Sequence, residues 1–194
     1  MNVAASLLRQ ARLGSGLSGR ALARLAGTPQ SRVSEIERDV HDPSVGTLDK
    51  AVRAAGWQLA VIPTRAPTAS AVALEVRQAF ASTDQATGEE RAFRALLSLV
   101  DGLRDAAPAV RVALCVAPPA LTGDERFDAA IAAVVEHRLT VAALPVPAWV
   151  HEPARTLIVP WTPDPYAGPD VAAEAPEAFR RHRVLLAARE FDSV

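Results

Sequence analysis

The chain has 194 residues, of which 49% are apolar, and this length allows one large domain or two small ones with a real core. Residues 1–65 carry nine Lys and Arg and five Asp and Glu, whereas residues 66–194 carry twelve Lys and Arg and seventeen Asp and Glu. This asymmetry predicts a basic first part that binds a polyanion and an acidic second part that binds another partner. One cysteine excludes an internal disulfide, and no apolar run reaches the about 18 residues of a membrane span, so we expect a cytoplasmic protein without membrane partners.

Residues 1–65 predict four short helices followed by a strand. Gly27 is expected to end the second helix, Thr28 to cap the third, and Pro29 to be its first residue, where a missing N–H costs nothing. The alternation in WQLAVIP predicts a strand over residues 57–63. Helical spacing places the helices over residues 3–13, 20–26, 29–38 and 44–55. The side chains expected to face the core are Val3, Leu7, Leu8, Leu22, Leu25, Val33, Ile36, Val45, Leu48, Val52 and Ala55.

The rest of the chain predicts a second domain, over residues 70–194, that follows a linker rich in Pro and Thr. Helical periodicity is strongest in its first half, and dense prolines exclude long helices from its second half. We therefore predict a mainly α fold with a few short strands. Helices are expected at 71–81, 89–106 and 124–137, a polar loop at 83–88, a strand or buried turn at 111–117, a strand at 157–161, and a terminal helix with a strand-like tail at 176–188.

The segment LSGRALARLAGTPQSRVSEIERDVHDPSVGTL, residues 17–48, carries a specific pattern. Ala21 is small enough for two helices to cross, Gly27 allows a tight turn between them, and Val33 and Ile36 anchor the second helix to the core. This pattern closely resembles the helix-turn-helix of the lambda-repressor (XRE) type. The resemblance implies that residues 1–65 bind operator DNA with the second helix of the motif in the major groove. The alternative for the same pattern is a helical hairpin that contacts protein.

The exposed face of that second helix supplies the predicted DNA contacts. Gln30 can pair with adenine N6 and N7, and Arg32 can pair with guanine O6 and N7 or hold a phosphate. In the family pattern, Gln30, Ser31 and Glu35 match positions that face base edges, and Arg20 would reach the DNA backbone. The full predicted DNA-binding set is Arg20, Thr28, Gln30, Ser31, Arg32, Glu35 and Arg38.

The predicted strand at 57–63 leaves an edge that needs a partner. Proteins of the XRE type often end their DNA-binding domain in a strand that pairs with its twin, which implies a homodimer. The alternative is that this strand pairs within the chain with LIVPW, residues 157–161.

No pattern of catalytic or metal-binding residues stands out. The four histidines are not at metal-ligand spacings, and Cys115 has no CxxC partner, so neither a metal nor a cofactor is expected. Cys115 lies in VALCVA, where a buried structural thiol is the expected role. With no nucleophile elbow and no phosphate-binding loop, we expect a protein that is not an enzyme.

Three pieces of the second half, APPALTGDERFDAAIAAVVEH, LPVPAWVHEP and EAPEAFRRHRVLL, resemble helix-turn-helix antitoxins paired with AbiEii-type nucleotidyltransferase toxins. That resemblance implies a repressor of its own operon that also neutralises a toxin. Trp149, Trp161 and Tyr166 are expected at the surface and are the aromatic candidates for contacting such a partner; the alternative for the tryptophans is core packing, their commoner role. The alternative is a free-standing regulator whose second domain senses a small molecule or mediates oligomerisation.

Overall fold

The structure, a computed structural model, describes residues 3–82, 84–164, 166–168 and 170–187. It divides the chain into two compact units, residues 1–61 and 62–194. Both are helical, which confirms the mainly α fold. Of the few short strands expected, the described residues contain only an isolated bridge, between Trp161 and Val184. None of the described helices combines the length and the apolar character needed to cross a membrane.

The first unit consists of four helices: α1 (Val3–Gly14), α2 (Gly19–Ala26), α3 (Gln30–Glu37) and α4 (Val45–Ala54). Local sequence explains their ends. The Ser18 hydroxyl accepts a hydrogen bond from the N–H of Ala21 and starts α2, while Gly27 ends it with a left-handed φ of 61°. Ser44 caps α4 in the same way, through the N–H of Thr47.

The helix α3 begins one residue later than predicted. Pro29 has extended dihedrals and is the N-cap, so Thr28 lies outside the helix and does not cap it. A proline at the N-cap offers no side-chain acceptor, and α3 therefore starts without a side-chain cap.

The core of the first unit differs from the predicted list at three positions. Leu8, Leu22, Val33, Ile36, Leu48, Val52 and Ala55 are buried as expected, and Leu7 is partly buried against the same core. In α2, however, Ala23 and Ala26 are buried beside Leu22, whereas Leu25 is 57% exposed and Ala21 only half-buried. Ala23 and Ala26 lie on the same side of the helix as Leu22, and Leu25 falls on the other side. The other two exceptions, on α1 and α4, are Val3 and Val45, which are exposed.

Residues 57–63 do not form the predicted strand. Trp57 lies against Gly14, where an added Cβ would be 3.1 Å from the indole ring, and its Nε1 donates to the hydroxyl of Ser15 at 2.9 Å. The alternative pairing with residues 157–161 is absent from the described part of the chain, where Trp161 bridges Val184 instead. Residues 57–63 therefore have no hydrogen-bonded neighbour strand among the described residues.

The second unit is built around one central helix. Its long helices are α5 (Ala69–Ser82), α6 (Gln85–Asp105), α7 (Pro108–Val116) and α8 (Glu125–Val141). The helix α8 is buried on nearly all sides, and α5, α6 and α7 pack against it. Two 3₁₀ turns follow, Ala148–His151 and Pro153–Arg155, and then the short helices α9 (Val171–Glu174) and α10 (Glu177–Arg181).

Two segments of this unit are helical where the sequence predicted otherwise. The polar loop predicted at 83–88 is mostly the first turn of α6, because the Asp84 carboxylate accepts from the N–H of Thr87 and caps the helix. The apolar run at 111–117 lies in α7 up to Val116 and is neither a strand nor a turn, because Leu114 and Cys115 on one face of the helix are buried in the core of the second unit. Thr83 and Ala188, each at one end of a predicted segment, lie outside the described residues.

A buried ionic network crosses the second unit. Arg155 contacts Asp128 on α8, with Nη1 3.3 Å from Oδ1, and donates to the carbonyl of Pro119. The carbonyl of Arg155 in turn lies 2.6 Å from Nδ1 of His182, whose Nε2 is 2.8 Å from Glu136 Oε2. Both histidine nitrogens thus face acceptors. These side chains are nearly fully buried, and they tie the proline-rich second half to α8.

Candidate nucleic-acid interface

The helix α3 presents one buried face and one open face. Val33 and Ile36 are each only 2% exposed and hold the helix on the core of the first unit. Gln30, Ser31 and Arg32 at its start are exposed. The amino end of α3 therefore projects side chains outward from a helix that its own core positions fix in place.

The first turn of α3 also presents free backbone donors. The carbonyl of Pro29 accepts from Arg32 and Val33, as expected for a first turn. Within the described part of the chain no side chain caps the turn, so its leading N–H groups remain available at the positive end of the helix dipole. A phosphate is a suitable partner for such a terminus.

The other predicted DNA-binding residues lie around this turn at different distances. Arg20 is exposed in the first turn of α2, and Thr28 is half-buried in the connection before α3. Glu35 is half-buried and lies 3.7 Å from the guanidinium of Arg32. Arg38 turns back along the helix and donates from Nε to the carbonyl of Ser34 at 3.2 Å, at the end of α3 opposite to Gln30. The roles of these side chains at DNA stay predictions.

The ion pair that fixes α3 to α1 was not among the features predicted from sequence. The Arg12 guanidinium binds both carboxylate oxygens of Glu37, with Nε–Oε1 at 2.7 Å and Nη2–Oε2 at 2.9 Å, and donates to the carbonyl of Leu17. The two side chains are only 16% and 11% exposed. The hydrogen bonds that Arg12 donates to the Glu37 carboxylate raise the pKa of Arg12 above its usual value, despite the opposing effect of burial. The available signal was that Arg12 falls beside the buried stripe of α1 and Glu37 directly follows Ile36.

The aromatic candidates of the second unit are not equally exposed. Trp149 was expected at the surface, but it is only 5% exposed, donates from Nε1 to the carbonyl of Cys115 at 2.9 Å, and packs on Arg155. Trp161 is half-buried against Phe127. Tyr166, at 92% exposed, is the one of the three that is free to meet a partner.

The thiol of Cys115 is buried in the core of the second unit. Burial raises the pKa of Cys115 to about 12, so the thiolate is negligible at neutral pH. Its environment is that of a structural thiol.

Residues 8–58 match the family model described as helix-turn-helix. The match begins within α1, ends just after α4 and so includes the whole of α2 and α3. The chain therefore contains a helix-turn-helix domain of the XRE type, a DNA-binding module of transcription regulators. No curated protein and no solved structure matches the chain, and no relative supports the resemblance of its second half to toxin-paired antitoxins.

Proposed function

We propose that the protein is a transcriptional repressor that binds an operator as a homodimer, through the helix-turn-helix domain at residues 8–58. The observation that carries this proposal is the open amino end of α3, where Gln30, Ser31 and Arg32 are exposed. The mechanism is occupancy: the bound protein covers a promoter and excludes polymerase, without catalysis.

The exposed segment after α4 supports the homodimer. Trp57 is 50% exposed, and Val61 and Ile62 are exposed as well. The segment is uncharged, so two copies can approach without repulsion between like charges. An extended apolar segment that has no neighbour strand among the described residues is suited to pairing with its own copy. Such a dimer would place its two α3 helices on half-sites about 10 base pairs apart or a multiple of that.

Gln30→Ala should weaken operator binding. Loss of a bidentate contact to one base costs about 1–3 kcal/mol, and discrimination at that base should relax. Electrophoretic shifts and footprints on the upstream region measure both effects, and the wild-type footprint should cover two half-sites of an inverted repeat. Gln10→Ala is the matched control, because Gln10 is an exposed glutamine of α1 outside the predicted DNA-binding set.

Two outcomes would contradict this docking. Unchanged affinity of the double variant Gln30→Ala, Arg32→Ala would show that the amino end of α3 does not enter the groove. A footprint on a single half-site, with a monomer in sedimentation at micromolar concentration, would remove the homodimer.

We further propose that the second unit binds a basic protein partner, which would make the chain the antitoxin of a nucleotidyltransferase-type toxin. Its support is physical. Residues 66–194 carry an excess of five acidic charges, which favours association with a basic surface. An exposed apolar stretch, with Ile158 and Val159 more than 70% exposed and Tyr166 nearby in the chain, offers anchors of the kind that dominate binding energy.

Tyr166→Ala should weaken this partner binding more than Asp170→Ala. An exposed aromatic anchor contributes about 2 kcal/mol or more at the centre of an interface, whereas a rim charge mainly affects the association rate. The test co-expresses the full chain with the product of the neighbouring gene and measures co-purification and rescue of growth. Tyr166→Phe, which keeps the ring, is the control. If the two proteins do not co-purify, growth is not rescued and a metabolite releases the chain from DNA, the free-standing, effector-sensing regulator is the correct function.

A further inference from the structure

A groove of about 360 Å³ lies within the first unit, between the turn that joins α2 to α3, the side of α3 and the start of α4. Its floor is apolar and includes Leu8, Val33 and Ile36, all members of the buried core. A volume of this size falls within the range of small-molecule sites. The groove is thus large enough for a small ligand and apolar at its base.

Two cations border the groove, and no carboxylate is among its lining residues. Arg32 reaches it from α3, and Lys50, the only lysine of the chain, reaches it from α4. Lys50 Nζ lies 3.8 Å from the position that a Cβ on Gly27 would occupy, so the ammonium group is turned toward the end of α2. The carboxylate of Glu35 lies 3.7 Å from the Arg32 guanidinium and forms an ion pair with it, at a distance too long for a hydrogen bond. Glu35 therefore partly neutralises Arg32, whereas Lys50 faces no carboxylate among the residues that line the groove.

The start of α4 adds backbone donors to the same wall. The Ser44 hydroxyl accepts from Thr47 and leaves the N–H groups of Val45 and Gly46 uncapped. Around Gly46, a Cβ would meet no atom within 4 Å, so the backbone is open to close approach. Free N–H groups at a helix start favour a negative charge, in agreement with the two cations.

We propose that this groove binds a small organic anion, a carboxylate on an apolar body. The carboxylate would lie between Lys50, Arg32 and the N–H of Gly46, and the apolar body would cover the floor formed by Val33 and Ile36. An inorganic anion would leave that floor uncovered, and a neutral apolar molecule would leave Lys50 without an anionic partner in the groove. Because Arg32 also belongs to the DNA-facing surface proposed above, the ligand should compete with operator DNA. The competition rests on the proposed function, whereas the binding itself does not.

The first experiment titrates the full chain, without DNA, with octanoate, octan-1-ol and inorganic phosphate in a calorimeter. Octanoate should bind at one site per chain and more tightly than either of the other probes. Lys50→Gln should lower the affinity for octanoate by about tenfold or more, because a charge-assisted contact is lost. Arg53→Gln is the matched control, since Arg53 is on the same helix, pairs with Asp49 at 2.8 Å and does not line the groove.

Reductive methylation with ¹³C-formaldehyde gives an independent readout, because Lys50 is the only side-chain amine it labels. Octanoate should shift the Lys50 resonance. No octanoate binding, equal binding by Lys50→Gln, or phosphate binding as tightly as octanoate would each overturn the proposal. If octanoate binds the free chain but does not change the electrophoretic shift of operator DNA, the ligand site is supported and the proposed competition with DNA is contradicted. If the chain binds no DNA at all, the proposed repressor function is contradicted, independently of the ligand site.

Discussion

Arg12→Ala should unfold the first unit and abolish DNA binding while the second unit stays folded. The substitution leaves the carboxylate of Glu37, which is 11% exposed, without its bidentate partner. Removing one partner of a largely buried ion pair costs about 3 kcal/mol or more. A unit of this size has only a few kcal/mol of stability in total, so most of it would be lost. Hydrogen exchange resolved by residue would show loss of protection in α1 and α3 with protection of α8 retained.

Two further variants distinguish the effect of breaking the Arg12–Glu37 ion pair from the effect of shortening a side chain. Arg9→Ala removes an exposed side chain that donates to the carbonyl of Glu37 at 3.0 Å, and should cost less than about 1 kcal/mol. The double variant Arg12→Leu, Glu37→Leu removes both charges and should recover much of the stability, because apolar replacement of a buried pair is often neutral. A single Arg12→Ala variant as stable as the wild type would show that the pair does not fix α3.

Arg155→Ala should cause the corresponding loss in the second unit. Arg155 is 2% exposed and is held by Asp128, by the carbonyl of Pro119 and by the ring of Trp149, 5.3 Å away. Truncation leaves a cavity and a buried carboxylate that still accepts from the N–H of Thr122 but has lost its cation. The expected cost is about 3–5 kcal/mol. Urea unfolding followed by tryptophan fluorescence should show an earlier transition of this unit, since Trp149 reports directly on the site.

Arg94→Ala provides the matched control for this second prediction. Arg94 also pairs with a carboxylate, that of Glu90, at 2.7 Å, but its side chain is 71% exposed. Solvent screening reduces such a pair to a few tenths of a kcal/mol. If Arg155→Ala and Arg94→Ala shift the urea midpoint equally, the ionic network does not stabilise the second unit.

Features governed by near neighbours in the sequence could be predicted. The two helices of the motif follow from Ser18, Gly27 and the spacing of Val33 and Ile36, all of which act within one or two turns. The exposed start of α3 follows from the same spacing, because two anchored positions determine which face remains outside. The DNA-binding domain could therefore be recognised from local pattern, and its family match confirms it.

Features that depend on residues distant in the sequence could not be predicted. The pair between Arg12 and Glu37 joins positions 25 residues apart, and local pattern does not reveal which charged side chains meet. Burial of Trp149 depends on the carbonyl of Cys115, 34 residues earlier, so its assignment to the surface was wrong.

Local sequence is sufficient for the helical class of the chain, for the limits of its DNA-binding helices to within a residue or two, and for the outward face of α3, since caps, glycines and apolar periodicity act over short distances. Only the tertiary structure shows that residues 111–116 are helical and that residues 57–63 form no strand within the described chain. It also shows that Arg12 and Arg155 are buried with their partners. A short apolar run is compatible with helix or strand until a neighbouring surface buries one of its faces. A buried charge is stable only where folding brings a distant partner to it.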